Sequence, residues 1–264
     1  MKRLRIVLDK SYLRGVCENR LVEISGKMDL IFSRMLMYEI MSDKNKEKTE
    51  QLFGKLKSIA GNIYYAPHIG RFLKNELKYF KPTTNIILDN ETKQLQSALM
   101  MGSLHLNDAI RKIELEVQAE EPLAQRRMAV YQYVIEAFPE LKEIKRGMSR
   151  EQTLPFSRLL FDTRRFMKFC GDLFRYSNIG IPLKKLSPQW VWFRYLQYEF
   201  LADMELIRTY GFEESDPNLK RVTNLGFDLH YAVLADLVDG LATKDEGLKF
   251  FFRIGSPDKI IVDT

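Results

Sequence analysis

The chain has 264 residues, of which 45% are hydrophobic and 29% charged. This excludes a disordered or fibrous polymer and suits one large globular domain or two small ones. No run approaches the roughly 18 apolar residues of a membrane span, and the basic start Met1 to Asp9 has only three consecutive apolar residues. No signal peptide, membrane role or secreted context is therefore expected, and a cytoplasmic setting is. The two cysteines, Cys17 and Cys170, lie far apart and form no CxxC pair, which fits a reducing compartment and argues against a zinc site of the usual type. The formal charge of +6 is uneven: residues 142–194 hold twelve Lys or Arg against four acids, leaving the remainder slightly acidic. A concentrated basic stretch favours a polyanion partner; the competing reading is a solvated helical surface.

In chain order, Leu4–Leu8 reads as a short buried strand ending at Asp9, and Asp29–Phe32 as a second. Ser33 is a fitting N-cap for a helix through Met35, Leu36, Glu39 and Ile40. Residues Asp43 to Ala60 predict another helix, closed by Gly61, and Asn62 to Ala66 a strand before Pro67. From about Asn90 to Gly211 the pattern is helical, with one helix over Pro155–Tyr176 and another from a Ser187 cap and Pro188 to Gly211. Asp216-Pro217 marks a further start, and Gly226-Phe227-Asp228 predicts the opening of a late helix. Leu241–Thr243 reads as a strand, Glu246–Arg253 as a helix and Ile260–Val262 as the last strand. Strand and helix units at both ends of the chain predict an α/β fold: one mainly parallel sheet closed by the two chain ends, around a long helical middle.

Phosphate loops, dinucleotide fingerprints, HExxH and GxSxG are all absent from the sequence. The three histidines, His68, His105 and His230, share no ligand spacing, so each reads as structural. Carboxylates remain. Asp9 and Asp245 follow strands, where ligands collect in parallel α/β sheets; Glu39 lies in an amphipathic helix and Asp228 at a predicted helix start. Oxygen ligands of this kind suit Mg²⁺ or Mn²⁺, and acids sharing one pocket repel unless a cation sits among them. Singly, each acid has a plainer role: Asp245 and Asp228 as helix caps, Asp9 as a turn residue, Glu39 as a solvated helix residue.

Taken together, the segments resemble the PIN-like nuclease family. Ile6-Val7-Leu8-Asp9 is similar to its first motif, Ile31 through Glu39 to its second, Asp228 through Ala235 to its third, and Gly240-Leu241-Ala242-Thr243-Lys244-Asp245 to its last, with seventeen positions from Asp228 to Asp245. The resemblance covers roughly 1–88 and 212–264. It implies a single three-layer PIN-like domain across 1–264, interrupted by a helical insertion over 89–211. It implies a Mg²⁺- or Mn²⁺-dependent endonuclease, acting on RNA ahead of DNA, in the manner of a toxin or antiviral defence effector. Asp9, Glu39, Asp228 and Asp245 would be both catalytic and metal-binding. Thr243 would orient the acids, and Lys10, Arg34 and Lys244 would join it in contacting substrate. The basic segment 142–194, with Phe156, Phe161, Tyr176 and Trp190 interleaved, would guide the nucleic acid, although their helical spacing favours the core for those aromatics. A regulatory protein partner and self-association remain open. The alternatives are a non-catalytic PIN-like scaffold for RNA or protein and a flap-type nuclease acting on DNA; Asp203, Asp236 and Asp239 are spare acids.

Overall fold

Five strands, β1 (Leu4–Leu8), β2 (Met28–Ser33), β3 (Ile63–Ala66), β4 (Gly240–Ala242) and β5 (Ile260–Val262), form one sheet in the computed structural model, which describes residues 3–101, 133–176, 186–211 and 219–263. The order is β3-β2-β1-β4-β5 and every pairing is parallel. Ile6, Val7 and Leu8 of β1 and Leu30, Ile31 and Phe32 of β2 are fully buried, as strands covered by helices on both faces must be. Each such aliphatic side chain contributes about 1.5–3 kcal/mol when removed from water. The sheet is the predicted α/β core.

Helices surround it: α1 (Lys10–Gly15), α2 (Glu18–Lys27), α3 (Arg34–Met41), α4 (Lys46–Ser58), α5 (Ile69–Tyr79), α6 (Asp89–Met101), α7 (Arg150–Ser157), α8 (Thr163–Tyr176), α9 (Val191–Tyr210), α10 (Leu219–Asp236) and α11 (Glu246–Gly255). Crossovers α1–α2, α3–α4 and α11 return the chain to the amino edge of the sheet, the requirement of parallel pairing. Helix α10 packs along β1 and β4, while α9 packs on α5, α10 and α11. Gly240 is dictated by the β4–β5 pairing: a Cβ there would lie 2.2 Å from the backbone oxygen of Ile260.

The helical middle is tied to the sheet layer by one buried acid. Glu76 of α5 is 1% exposed. Its carboxylate accepts from the backbone N–H groups of Val191 (3.0 Å), Trp192 (3.2 Å) and Thr83 (2.8 Å). It thereby caps the 20-residue α9 from a distant segment and meets that helix's positive end. This corrects the predicted Ser187 cap. The helix starts at Val191, and Ser187 instead forms a turn in which Trp190 N–H donates to its carbonyl at 3.0 Å. Gly211 does end the helix, with φ at +84°.

Other boundaries differ from the pattern as well. Helix α4 starts at Lys46 because Asn45 accepts from Lys48 N–H at 3.1 Å, and a 3-10 turn over Ala60–Asn62 delays β3 to Ile63. The predicted helix Pro155–Tyr176 is three pieces. Helix α7 contains Pro155, a 3-10 stretch covers Arg158–Phe161, and Asp162 then accepts from Arg165 N–H at 3.1 Å to begin α8. Finally, Asp228 lies inside α10 rather than at its start. Buried Val222, Leu225 and Leu229 carry the helix across Gly226, and apolar burial outweighs the roughly 1 kcal/mol that a helical glycine costs. The predicted start at Asp216-Pro217 lies outside the described residues.

Candidate active site

The strand order reverses between β1 and β4: β2 and β3 extend to one side, β5 to the other. In open α/β sheets the crevice beyond the carboxyl ends of the strands at such a reversal is where ligands bind. Leu8 pairs with Ala242 at this end, and Asp9 N–H donates to Ala242 O at 3.0 Å. The next side chains out are Asp9 and Thr243, 6% and 0% exposed.

Hydroxyls fix them. Thr243 Oγ1 donates to Asp9 Oδ2 at 2.7 Å and accepts from Asp245 N–H at 3.0 Å. Ser11 Oγ donates to the same Asp9 oxygen, and it accepts from Lys244 N–H at 2.9 Å. Asp245 is the N-cap of α11, its Oδ1 accepting from Leu248 N–H at 2.9 Å. One oxygen of Asp245 is therefore spent on the helix while its charge bears on Asp9 and Asp228; the cap and the acidic neighbour are one residue.

Glu39 comes from α3, which Ser33 starts by accepting from Leu36 N–H at 3.1 Å. Buried Met35, Leu36 and Ile40 hold that helix on its neighbours. The Tyr231 hydroxyl, itself buried, donates to Glu39 Oε2. Asp228 reaches the group from α10, one turn before Tyr231.

The electrostatics join all four acids. Burial pushes the Asp9 carboxyl up; the Ser11 and Thr243 hydroxyls pull it back, and Asp245 adds to the rise. Burial also raises Glu39, against the Tyr231 bond, with Asp9 adding repulsion. Asp228 is driven well above the ordinary carboxyl range, first by burial and then by Asp245, Asp9 and Glu39. Tyr231 is likewise raised far above a free phenol by burial and by Glu39, so it stays a neutral donor.

The donor set, carboxylates flanked by hydroxyls, is of the hard-oxygen kind that Mg²⁺ and Mn²⁺ take. It is not a ready cage: among the described residues, no three His, Cys, Asp or Glu side chains stand placed to hold a metal ion. The residues fit such an ion by chemistry and by their unrelieved mutual repulsion, and holding one calls for side-chain adjustment.

The predicted substrate cations fare differently. Lys10 Nζ donates to the backbone oxygen of Glu39 and pairs with Asp43 at 3.3 Å. Lys244 Nζ donates to Gly15 O at 2.9 Å, closing the end of α1. Both are thus engaged in joining elements. Arg34 opens α3 and is half-buried. The spare acids lie elsewhere in function: Asp239 accepts from Arg5 N–H at 2.8 Å at the amino end of the sheet, Asp236 pairs with Arg194 at 2.7 Å, and Asp203 is fully buried in α9.

Sequence reasoning missed three residues here. Ser11 and Tyr231 sit two and three positions after predicted acids, a spacing that carries a weak signal. Arg150 gave none beyond its basic surroundings, yet its guanidinium lowers Asp228. It also missed that the rings of His68 and His230 stand 4.1 Å apart, whereas His105 lies outside the described residues. Of the interleaved aromatics, Trp190 is core, Phe156 is partly buried and Phe161 is 60% exposed; the Tyr176 side chain is outside the description. No described helix is long and apolar enough to cross a membrane. In comparison with known proteins, the chain matches no family model, no curated sequence and no solved structure.

Proposed function

We propose that the protein is a divalent-metal-dependent nuclease that hydrolyses phosphodiester bonds, in single-stranded RNA ahead of DNA, on a PIN-like three-layer fold. One observation carries this reading: carboxylates from four separate segments act on one another electrostatically around the strand-order reversal, Asp9, Glu39 and Asp228 each raised by burial and by the charge of other acids of the set. Such a set is costly without a cation and useful with one. The four motif segments that resemble PIN-like nucleases support the same reading. The charges of Asp245, Asp9 and Glu39 all bear on Asp228, which counts against a scaffold that has lost its chemistry.

When bound, Mg²⁺ or Mn²⁺ would supply a deprotonated water and neutralise charge on the phosphate. The chain's own residues do the rest. Thr243 and Ser11 hold one oxygen of Asp9, and the Lys10 backbone N–H adds to the grip on its carboxylate. Tyr231 fixes Glu39, and the α11 cap fixes Asp245. Thr243, expected from the resemblance both to orient the acids and to contact substrate, has its hydroxyl engaged with Asp9 and Asp245 N–H, which supports the orienting role.

The test is cleavage of labelled single-stranded RNA and DNA with Mg²⁺, Mn²⁺ or EDTA, using wild type, Asp9→Asn and Asp228→Asn. Metal-dependent cutting that disappears in both variants is expected. Cutting that survives either substitution refutes the assignment, and RNA binding with no cutting assigns the scaffold role instead.

A further inference from the structure

We propose that Arg150, contributed by the helical middle section, is the anion-binding residue of the site and holds a phosphate of the RNA strand beside Asp228 and Asp245. This rests on the nuclease reading.

The placement comes from Gly247. A Cβ at that position would lie 2.8 Å from Arg150 Nη2 and 3.0 Å from Asp245 Oδ1. The guanidinium and the carboxylate thus crowd the same point, and the absence of a side chain at 247 lets them do so. Arg150 is the first residue of α7, whose start is fixed by a reciprocal cap between Ser149 and Gln152. Its aim is fixed as well. Nη2 donates to Glu205 Oε1 at 3.1 Å, and Glu205, 5% exposed, is gripped by Arg208 through two bonds of 2.6 Å. The guanidinium carbon stands 6.0 Å from the centre of the Phe250 ring.

This guanidinium has donors to spare. It carries five N–H groups, and Nε is sealed from solvent with no hydrogen-bond partner in the protein. A buried unpaired donor is costly until an acceptor arrives. The side chain as a whole is 30% exposed, so a phosphate reaches its outer donors, and turning the fork toward that phosphate would open Nε as well. Its planar fork suits a phosphate better than an ammonium does. Lys10 and Lys244, the lysines that sequence suggested for this task, are occupied with backbone carbonyls. Arg150 therefore answers where the described part of the basic segment 142–194 meets the acids: through an anchored arginine beside Asp245.

Three variants separate this role from a structural one. Arg150→Ala removes the charge but leaves Glu205 with both bonds from Arg208, so the fold persists. Arg150→Lys keeps the charge without the fork. Gly247→Ala keeps the arginine, favours the helix intrinsically and displaces the guanidinium. The measurements are anisotropy of labelled single-stranded RNA in EDTA across salt concentrations, and KM and kcat with Mn²⁺. Arg150→Ala is expected to weaken binding about tenfold to a hundredfold. The slope of log affinity against log salt should fall by about 0.7, one single-strand phosphate contact. KM should rise, with kcat changing far less; Lys should rescue in part, and Gly247→Ala should follow Ala. Wild-type binding, slope and KM in Arg150→Ala would overturn the proposal. If Asp9→Asn is then inactive, the nuclease reading still stands. If Asp9→Asn cuts as wild type does, that reading falls, and the EDTA binding data alone decide Arg150.

Discussion

Replacing Thr243 by Val removes one hydroxyl from a fully buried side chain and keeps its shape. Two hydrogen bonds go with it: the 2.7 Å bond given to Asp9 and the 3.0 Å bond taken from Asp245 N–H. A bond to a charged group contributes about 1.5–3 kcal/mol, and an orphaned N–H costs about 1–3 kcal/mol. Part of the second cost is relieved because Asp245 is exposed, so the expected loss is about 2–4 kcal/mol, or roughly 5–15 °C in a chain of this size. The pH dependence gives the sharper check. The Asp9 carboxyl is already raised by burial, and Thr243 is one of the groups holding it down. A raised carboxyl contributes stability that is fully present below its unfolded value, about 3.9, and lost as pH rises through its folded value. Without Thr243 the folded value moves higher still. The penalty of Thr243→Val is therefore largest at neutral to alkaline pH and shrinks as the pH is brought below 4. The acid limb of the cleavage profile moves to higher pH. Urea unfolding at several pH values measures the penalty. A loss below 1 kcal/mol, or one equal at pH 4 and pH 8, would show a packing effect and refute the account of a charge-holding hydroxyl.

Asp228→Asn should stabilise the metal-free protein in EDTA at pH 8 by roughly 1–3 kcal/mol, because it removes a buried charge with three acidic neighbours. The sign follows from the raised carboxyl: the gain fades toward pH 4. The same variant should lose the rise in Tm that Mn²⁺ gives wild type, about 2.7 kcal/mol at a hundred times Kd; scanning fluorimetry with and without Mn²⁺ reads both, and a destabilised variant in EDTA contradicts the repulsion argument. Glu76→Ala strands the N–H groups of Thr83, Val191 and Trp192 and should cost roughly 3–5 kcal/mol. Hydrogen exchange should locate the loss at the start of α9, and exchange there unchanged from wild type would refute the capping role.

The terminal units were legible because their signals are local. A run such as Ile6-Val7-Leu8 before an acid, or Ser33 three residues ahead of Leu36 N–H, declares itself within one element. Asp9 and Asp245 could be placed at strand ends because the strands before them are local signals, and the structure does put Asp9 directly after β1 and Asp245 at the α11 cap. The errors arise where a distant segment decides. Ser187 has the chemistry of a cap, but the α9 start is set by Glu76, more than a hundred positions away. Gly226 and Asp228 read as a helix opening, and buried side chains on the same helix override them. Lys10, next to Asp9, reads as a substrate contact, and its partners Asp43 and the Glu39 carbonyl come from segments the local sequence does not point to. Arg150 was invisible for the same reason, since its meaning lies in Gly247, Glu205 and Asp245.

The strand order also has a consequence for how the protein is made. Central strand β1 is flanked by β2, which follows within thirty residues, and by β4, which begins at Gly240. Asp9 and Glu39 leave the ribosome early, and Asp245 follows Asp9 by 236 positions, a lag of roughly 12–50 s at ordinary elongation rates. During that interval one edge of β1 has no partner and the four acids do not exist as a group. An interrupted translation product that stops short of Gly240 thus has an open strand edge prone to aggregation and lacks Asp245. The order of the strands thus makes completion of the sheet, and of the acidic group beside β1 and β4, one of the last events of synthesis.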